Sequence, residues 1–112
     1  MSEPERLVPL RPVILEILLL LHEEPMHGYG IMKQLREKPA GRWVLGPGTL
    51  YRTLAEMRTL GLIETDENAD EHPRRRSCRL TSFGGRVLVA EVRRMESLVA
   101  RARSGPLLRS LE

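Results

Sequence analysis

The sequence predicts a mainly α-helical fold, a winged helix-turn-helix with a two-stranded β wing and a long C-terminal dimerisation helix. Three observations carry this expectation. Three helix-compatible segments follow one another with short connections, and the third has a polar outer face, the plan of a helix-turn-helix. Two short stretches suited to paired strands come next, joined by an acidic loop, as in a hairpin. The last helix then places Leu88, Val92, Met95, Val99 and Ala102 at spacings of four, three, four and three, a heptad seam.

Residues 1–9 are polar, contain Pro4 and Pro9, and read as a loose arm. Pro12 suits the first turn of a helix, where its missing N–H is not needed. Residues 13–21 are apolar almost all round, interrupted by Glu16, so this helix must be covered on several sides. Glu23, Glu24 and Pro25 end it. A second helix starts near Met26 or His27 and runs to Lys38, with Ile31 and Leu35 on one face. Pro39, Ala40 and Gly41 close it, and the loop over 40–46 contains Trp43, expected to cover the core. Pro47 and Gly48 open the third helix, which runs to Leu60 with Gly61 as its stop. Leu50, Leu54 and Met57 form its inner stripe. At about 100° per residue, Arg52, Ala55, Glu56 and Thr59 lie opposite, with Tyr51 and Arg58 on the flanks.

Residues 62–65 read as a strand, 66–73 as a polar, mostly acidic loop, and 75–80 as the return strand. Thr81 or Ser82 caps the final helix, which extends to about Arg103 before Ser104, Gly105 and Pro106 break it. The resulting division is an arm and winged-helix domain over 1–81, a dimerisation helix over 82–104 and a tail over 105–112.

A chain of 112 residues is one domain's worth and buries a modest core. A second copy is therefore the expected cover for the first helix and the seam; packing within one domain is the alternative. No run approaches the roughly 18 apolar residues of a membrane span, and no leader pattern precedes a cleavage site. Cys78 has no second cysteine to pair with, which fits a reducing, cytoplasmic setting. Residues 1–73 hold eight Lys/Arg and twelve Asp/Glu, a balance of −4, whereas 74–112 hold ten Arg and three Glu, a balance of +7. A basic segment of this kind suits a polyanionic partner; a solvated arginine surface is the plainer reading.

A helix fits the DNA major groove and reaches bases with its amino-terminal part. Thr49, Tyr51 and Arg52 occupy that part. Arg52 suits a guanine edge or a phosphate, and Thr49 and Tyr51 suit phosphates, although Tyr51 also fits a half-buried packing role. Arg74, Arg75 and Arg76 sit where the wing returns and either follow the DNA or pair with Asp66, Glu67, Asp70 and Glu71. Lys33 and Arg42 are further phosphate candidates.

The residues His27-Gly28-Tyr29-Gly30-Ile31, Gly48-Thr49-Leu50-Tyr51-Arg52-Thr53-Leu54, Leu60-Gly61-Leu62-Ile63, Arg74-Arg75-Arg76 and Leu80-Thr81 stand in an order and spacing that resembles the PadR family of bacterial regulators. The resemblance spans about residues 10–100. It implies a winged helix, a homodimer built from the first and last helices, binding to double-stranded DNA, and a transcriptional repressor often released by a small molecule. The short length resembles the smaller branch of the family, some members of which bind flat hydrophobic drugs between subunits. Those members carry a tryptophan in the last helix, where this chain has no aromatic residue beyond Phe83.

An effector pocket between two copies would be lined by Leu18, Val92, Met95 and Val99 and would suit a small hydrophobic molecule; a closed, dry dimer core is the alternative. His22, His27, His72 and Cys78 lack zinc-ligand spacing. No nucleophile–base pair, phosphate loop or dinucleotide fingerprint is present. Neither an enzyme nor a bound cofactor is expected. A winged-helix module that holds a protein partner instead of DNA is the competing function.

Overall fold

The computed structural model describes residues 3–37, 45–66 and 76–111. Helix α1 (Pro12–Glu23) is followed by strand β1 (Met26–His27), α2 (Gly28–Glu37), α3 (Pro47–Thr59), β2 (Ile63–Thr65), β3 (Ser77–Leu80), α4 (Ser82–Arg103) and α5 (Pro106–Leu111). A 3-10 turn over Pro4–Leu7 precedes them. The mainly helical winged architecture expected from the sequence is present.

Helix α1 starts with Pro12 at its first position, and Ile14, Ile17, Leu18, Leu20 and Leu21 are buried. These residues sit at the centre of the core with Ile31 and Leu35 of α2 and the Leu50, Leu54 and Met57 stripe of α3. Helix α3 ends in a Schellman arrangement. Gly61 takes φ +80°, the N–H of Leu62 donates to the Met57 carbonyl at 2.9 Å, and the N–H of Gly61 donates to the Arg58 carbonyl at 3.0 Å. The left-handed backbone at this point is where glycine costs least. The turn delivers Leu62 and Ile63, both buried, directly into the sheet.

Three expectations need correction. The wing is two strands of a three-stranded antiparallel sheet in the order β1-β3-β2. Met26 faces Cys78 and His27 faces Ser77, so these residues form a strand and α2 begins at Gly28. The extended backbone after Pro25 leaves N–H and C=O groups open, and the free edge of β3 satisfies them. Secondly, the amino-terminal arm is docked. The Leu10 N–H donates to Glu91 Oε2 at 2.8 Å, and Leu7, Val8 and Leu10 pack on the core. Thirdly, the segment beyond Gly105 read as a tail carries helix α5.

Thr81 knots the wing to α4. Its hydroxyl donates to the Gly61 carbonyl at 2.6 Å and accepts from the Gly84 N–H at 2.9 Å, capping the helix. Gly84 lies so close to the Leu62 carbonyl that a Cβ would overlap it. Helix α4 has 22 residues and is about 33 Å long. Its first half is packed, with Val87, Leu88 and Glu91 buried. Beyond Glu91 the helix projects, leaving Val92, Met95, Leu98 and Val99 between 39% and 51% exposed. The radius of gyration is 16.1 Å, against about 13 Å for a compact chain of this length.

Candidate nucleic-acid interface

Helix α3 presents one face to the core and the other to solvent. Leu50, Thr53, Leu54 and Met57 are buried, and Thr53 is held by its hydroxyl donating to the Thr49 carbonyl at 2.9 Å. Thr49 and Arg52 stand exposed at the amino-terminal end, with Arg52 Nη2 donating to Thr49 Oγ1 at 3.3 Å. That bond is long and solvent-exposed, so the guanidinium is available to a ligand at little cost. Tyr51 is half-buried, its ring lying against Gly28 of α2. The tyrosine therefore joins α2 to α3 and also borders the cleft between α3 and the sheet.

Of the other cationic candidates, Lys33 is exposed on α2 and Arg76 is half-buried at the start of β3. Arg42, Arg74 and Arg75 lie outside the described residues, as do Trp43 and the acidic residues Glu67, Asp70 and Glu71. Asp66, one of the acids expected to compete for the wing arginines, is held instead by Arg79 Nη1 at 3.0 Å. Arg79 Nε also meets Glu64 Oε1 at 3.0 Å. One arginine thus offsets two carboxylates on the outer face of the wing.

Sequence reasoning passed over several groups here. Glu56, on the outer face of α3, is paired with Arg11 Nη2 at 2.7 Å, so the start of α1 screens an acid that would repel phosphate. Arg58 lines the cleft beside Tyr51, Thr65 and Arg76. Glu91 is buried, and Oε1 accepts from Arg94 Nε at 2.6 Å. The Arg94 hydrogen bond pulls the Glu91 carboxyl below its ordinary pKa, against the opposing effect of burial and with help from the Leu10 N–H. The phase of α4 held a signal for it: Glu91 follows Leu88 by one helical step of three, on the inner side. Burial pushes the Cys78 thiol up, with Arg58 opposing and Asp66 adding to the shift. It is a neutral group at the floor of the cleft.

The seam on α4 is divided. Leu88 is buried in its own protomer, while Val92, Met95 and Val99 are exposed and line an open groove of about 420 Å³ with Glu96, Ala100 and Arg103. Ala102 is exposed farther along. Leu18 is fully buried in the core and lines no part of that groove, so its assignment to an effector pocket is corrected. Among the described residues there is no cluster of three potential metal ligands. No described helix is long and apolar enough to cross a membrane.

A family model described as the PadR-like family of transcriptional regulators matches residues 17–90. Among solved structures, a PadR-like transcription factor from Bacteroides fragilis is 26% identical, with a TM-score of 0.69 over 81% of this chain and 86% of that one. A PadR family transcription regulator from Clostridium difficile is 28% identical, with a TM-score of 0.62 over 81% of this chain and 93% of the other. Bacillus subtilis PadR in complex with operator DNA shares the fold at 23% identity and a TM-score of 0.57, over 70% of this chain and 46% of that one. No curated protein matches the chain by sequence.

Proposed function

The chain belongs to the PadR-like family of transcriptional regulators, and from that membership we propose that it is a homodimeric repressor that binds a palindromic DNA operator. The observation that carries this reading is the amino-terminal end of α3, where Thr49 and Arg52 are exposed to solvent. A helix end of this kind is what enters a major groove and reads base edges. The operator complex of Bacillus subtilis PadR supports DNA as the partner. In this reading Arg52 contacts a base, and Thr49, Tyr51, Lys33, Arg42 and the wing arginines 74–76 hold phosphates.

The dimer is supported by the apolar strip Val92, Met95 and Val99, which the protomer leaves exposed. A two-fold pair would set the recognition helices about 34–36 Å apart, one helical turn of DNA. The same strip is a candidate lining for a small hydrophobic effector, with methionine as an adaptable wall. Binding at that seam would change the distance between recognition helices and release the operator.

The test is a gel-shift titration of the purified protein against the DNA upstream of its own gene, at low and at physiological salt. Retarded complexes that weaken steeply with salt are expected. Absence of retardation at low salt would sink the proposal. For the effector, a panel of hydrophobic compounds should include one that raises the melting temperature and lowers DNA affinity; a panel that moves neither removes the effector from the reading.

A further inference from the structure

A helix in the major groove and a wing in the neighbouring minor groove straddle one sugar-phosphate strand. In this protein the space between those two elements is a defined cleft of about 160 Å³. Its wall on α3 is Tyr51, Ala55 and Arg58, and its wall on the sheet is Thr65, Arg76 and Cys78. A water occupies about 30 Å³, so the cleft has room for a tetrahedral anion and a few waters.

We infer that this cleft is a phosphate clamp: Arg58 and Arg76 grip the same DNA backbone phosphate and so tie recognition helix and wing to one strand. The inference rests on the DNA-binding reading above and assigns Arg58, a residue that reading did not use. Four observations support it. Among the described residues, none of the side chains lining the cleft is acidic. Arg58 makes only a 3.4 Å hydrogen bond to Thr65 Oγ1 among the described residues, which leaves most of its five N–H donors open. The Nε of Arg76 is buried without a hydrogen-bond partner among the described residues, and a buried donor of that kind is costly unless a ligand satisfies it. Asp66, the nearby acid, is engaged by Arg79, and the Cys78 thiol stays neutral because burial raises its pKa. The cleft is therefore positive, and it holds forked donors suited to phosphate.

Phosphate contacts carry no sequence information, so the operator is not needed for the test. The probe is a fluorescently labelled duplex of mixed sequence, titrated by anisotropy over a salt series with the full chain. Arg58→Gln should make the plot of log affinity against log salt shallower by about 0.9 for each subunit engaged. That equals about a 3.5-fold smaller loss of affinity per subunit over a fourfold rise in salt. Arg58→Lys should keep most of the slope, because the charge remains. Arg76→Gln should act like Arg58→Gln, and the double variant should lose less than the two single losses combined, since one phosphate is shared. Arg109→Gln on α5 controls for a general loss of charge, and melting curves confirm that each variant folds.

An unchanged slope in Arg58→Gln overturns the clamp while leaving DNA binding intact. Additive losses in the double variant overturn the shared phosphate, because they report two separate contacts. A native protein that binds no duplex at low salt overturns the DNA reading and the clamp with it.

Discussion

Arg52 and Glu91 are both charged, and their surroundings give them opposite tasks. Arg52 is exposed, with one long hydrogen bond to Thr49 at 3.3 Å, so losing it should cost the fold almost nothing. If it reads a base edge, Arg52→Ala should weaken operator binding by about 1–3 kcal/mol and relax the preference at one base pair; competition binding with single-base operator variants checks this. Glu91 is buried and joins residues 81 positions apart through the Leu10 N–H. Glu91→Ala should destabilise the protein by about 1.5–3 kcal/mol, the range for a hydrogen bond to a charged group, with a smaller loss for Glu91→Gln, which keeps an acceptor. Its pKa is lowered in the folded state. The stabilisation is therefore complete above the ordinary carboxylate value of about 4.3 and is lost as pH falls through the lowered folded value. Melting curves at a fixed protein concentration should show the native protein losing its advantage over Glu91→Ala only on strong acidification.

At the level of helices and strands, the junction between wing and last helix is closely packed and hydrogen-bonded. The Schellman end of α3, the Thr81 cap and Gly84 all meet around the Leu62 carbonyl. Alanine in place of glycine inside a helix normally stabilises by about 1 kcal/mol. Gly84→Ala should do the reverse, destabilising by about 2–3 kcal/mol, because the new methyl strikes backbone that cannot rotate away. Chemical denaturation at neutral pH measures it. The sheet makes a related point. Residues 63–65 and 77–80 alternate in a way that reads as a hairpin, but Met26 and His27 carry no strand pattern of their own. Two residues are too few for periodicity to speak, and their strand exists because β3 offers an unpaired edge.

At the level of the protein as a unit, shape and exposed surface argue together. The molecule measures 58 × 36 × 21 Å, and the second half of α4 leaves Val92, Met95, Leu98 and Val99 exposed. Helices of this kind gain from a second copy that covers them. Under the dimer proposal, Val92→Glu combined with Val99→Glu should convert a dimer into a monomer, read as a halved mass in sedimentation equilibrium. Operator affinity should fall with it, since each half-site would then be bound alone. A variant pair that stays dimeric and binds DNA normally would place the interface elsewhere.

Several features were legible in the linear chain because they depend on neighbours within a turn or two. These include the Leu50, Leu54 and Met57 stripe, the Gly61 stop, the threonine cap at 81 and the apolar seam along the last helix. Periodicity and capping are local physics, and local physics is written in order along the chain. The winged helix-turn-helix, read first from three helices, a hairpin and a long helix, rests on such signals and stands, with a third strand added. Other features came from contacts across long sequence separations. The seam's first member, Leu88, is buried in its own domain. Leu18 belongs to the core rather than to a pocket. The arm is anchored by Glu91, and Arg58 and Arg76 line one cleft from different elements. None of these has a local signature, because each depends on how the folded elements are brought against one another in space.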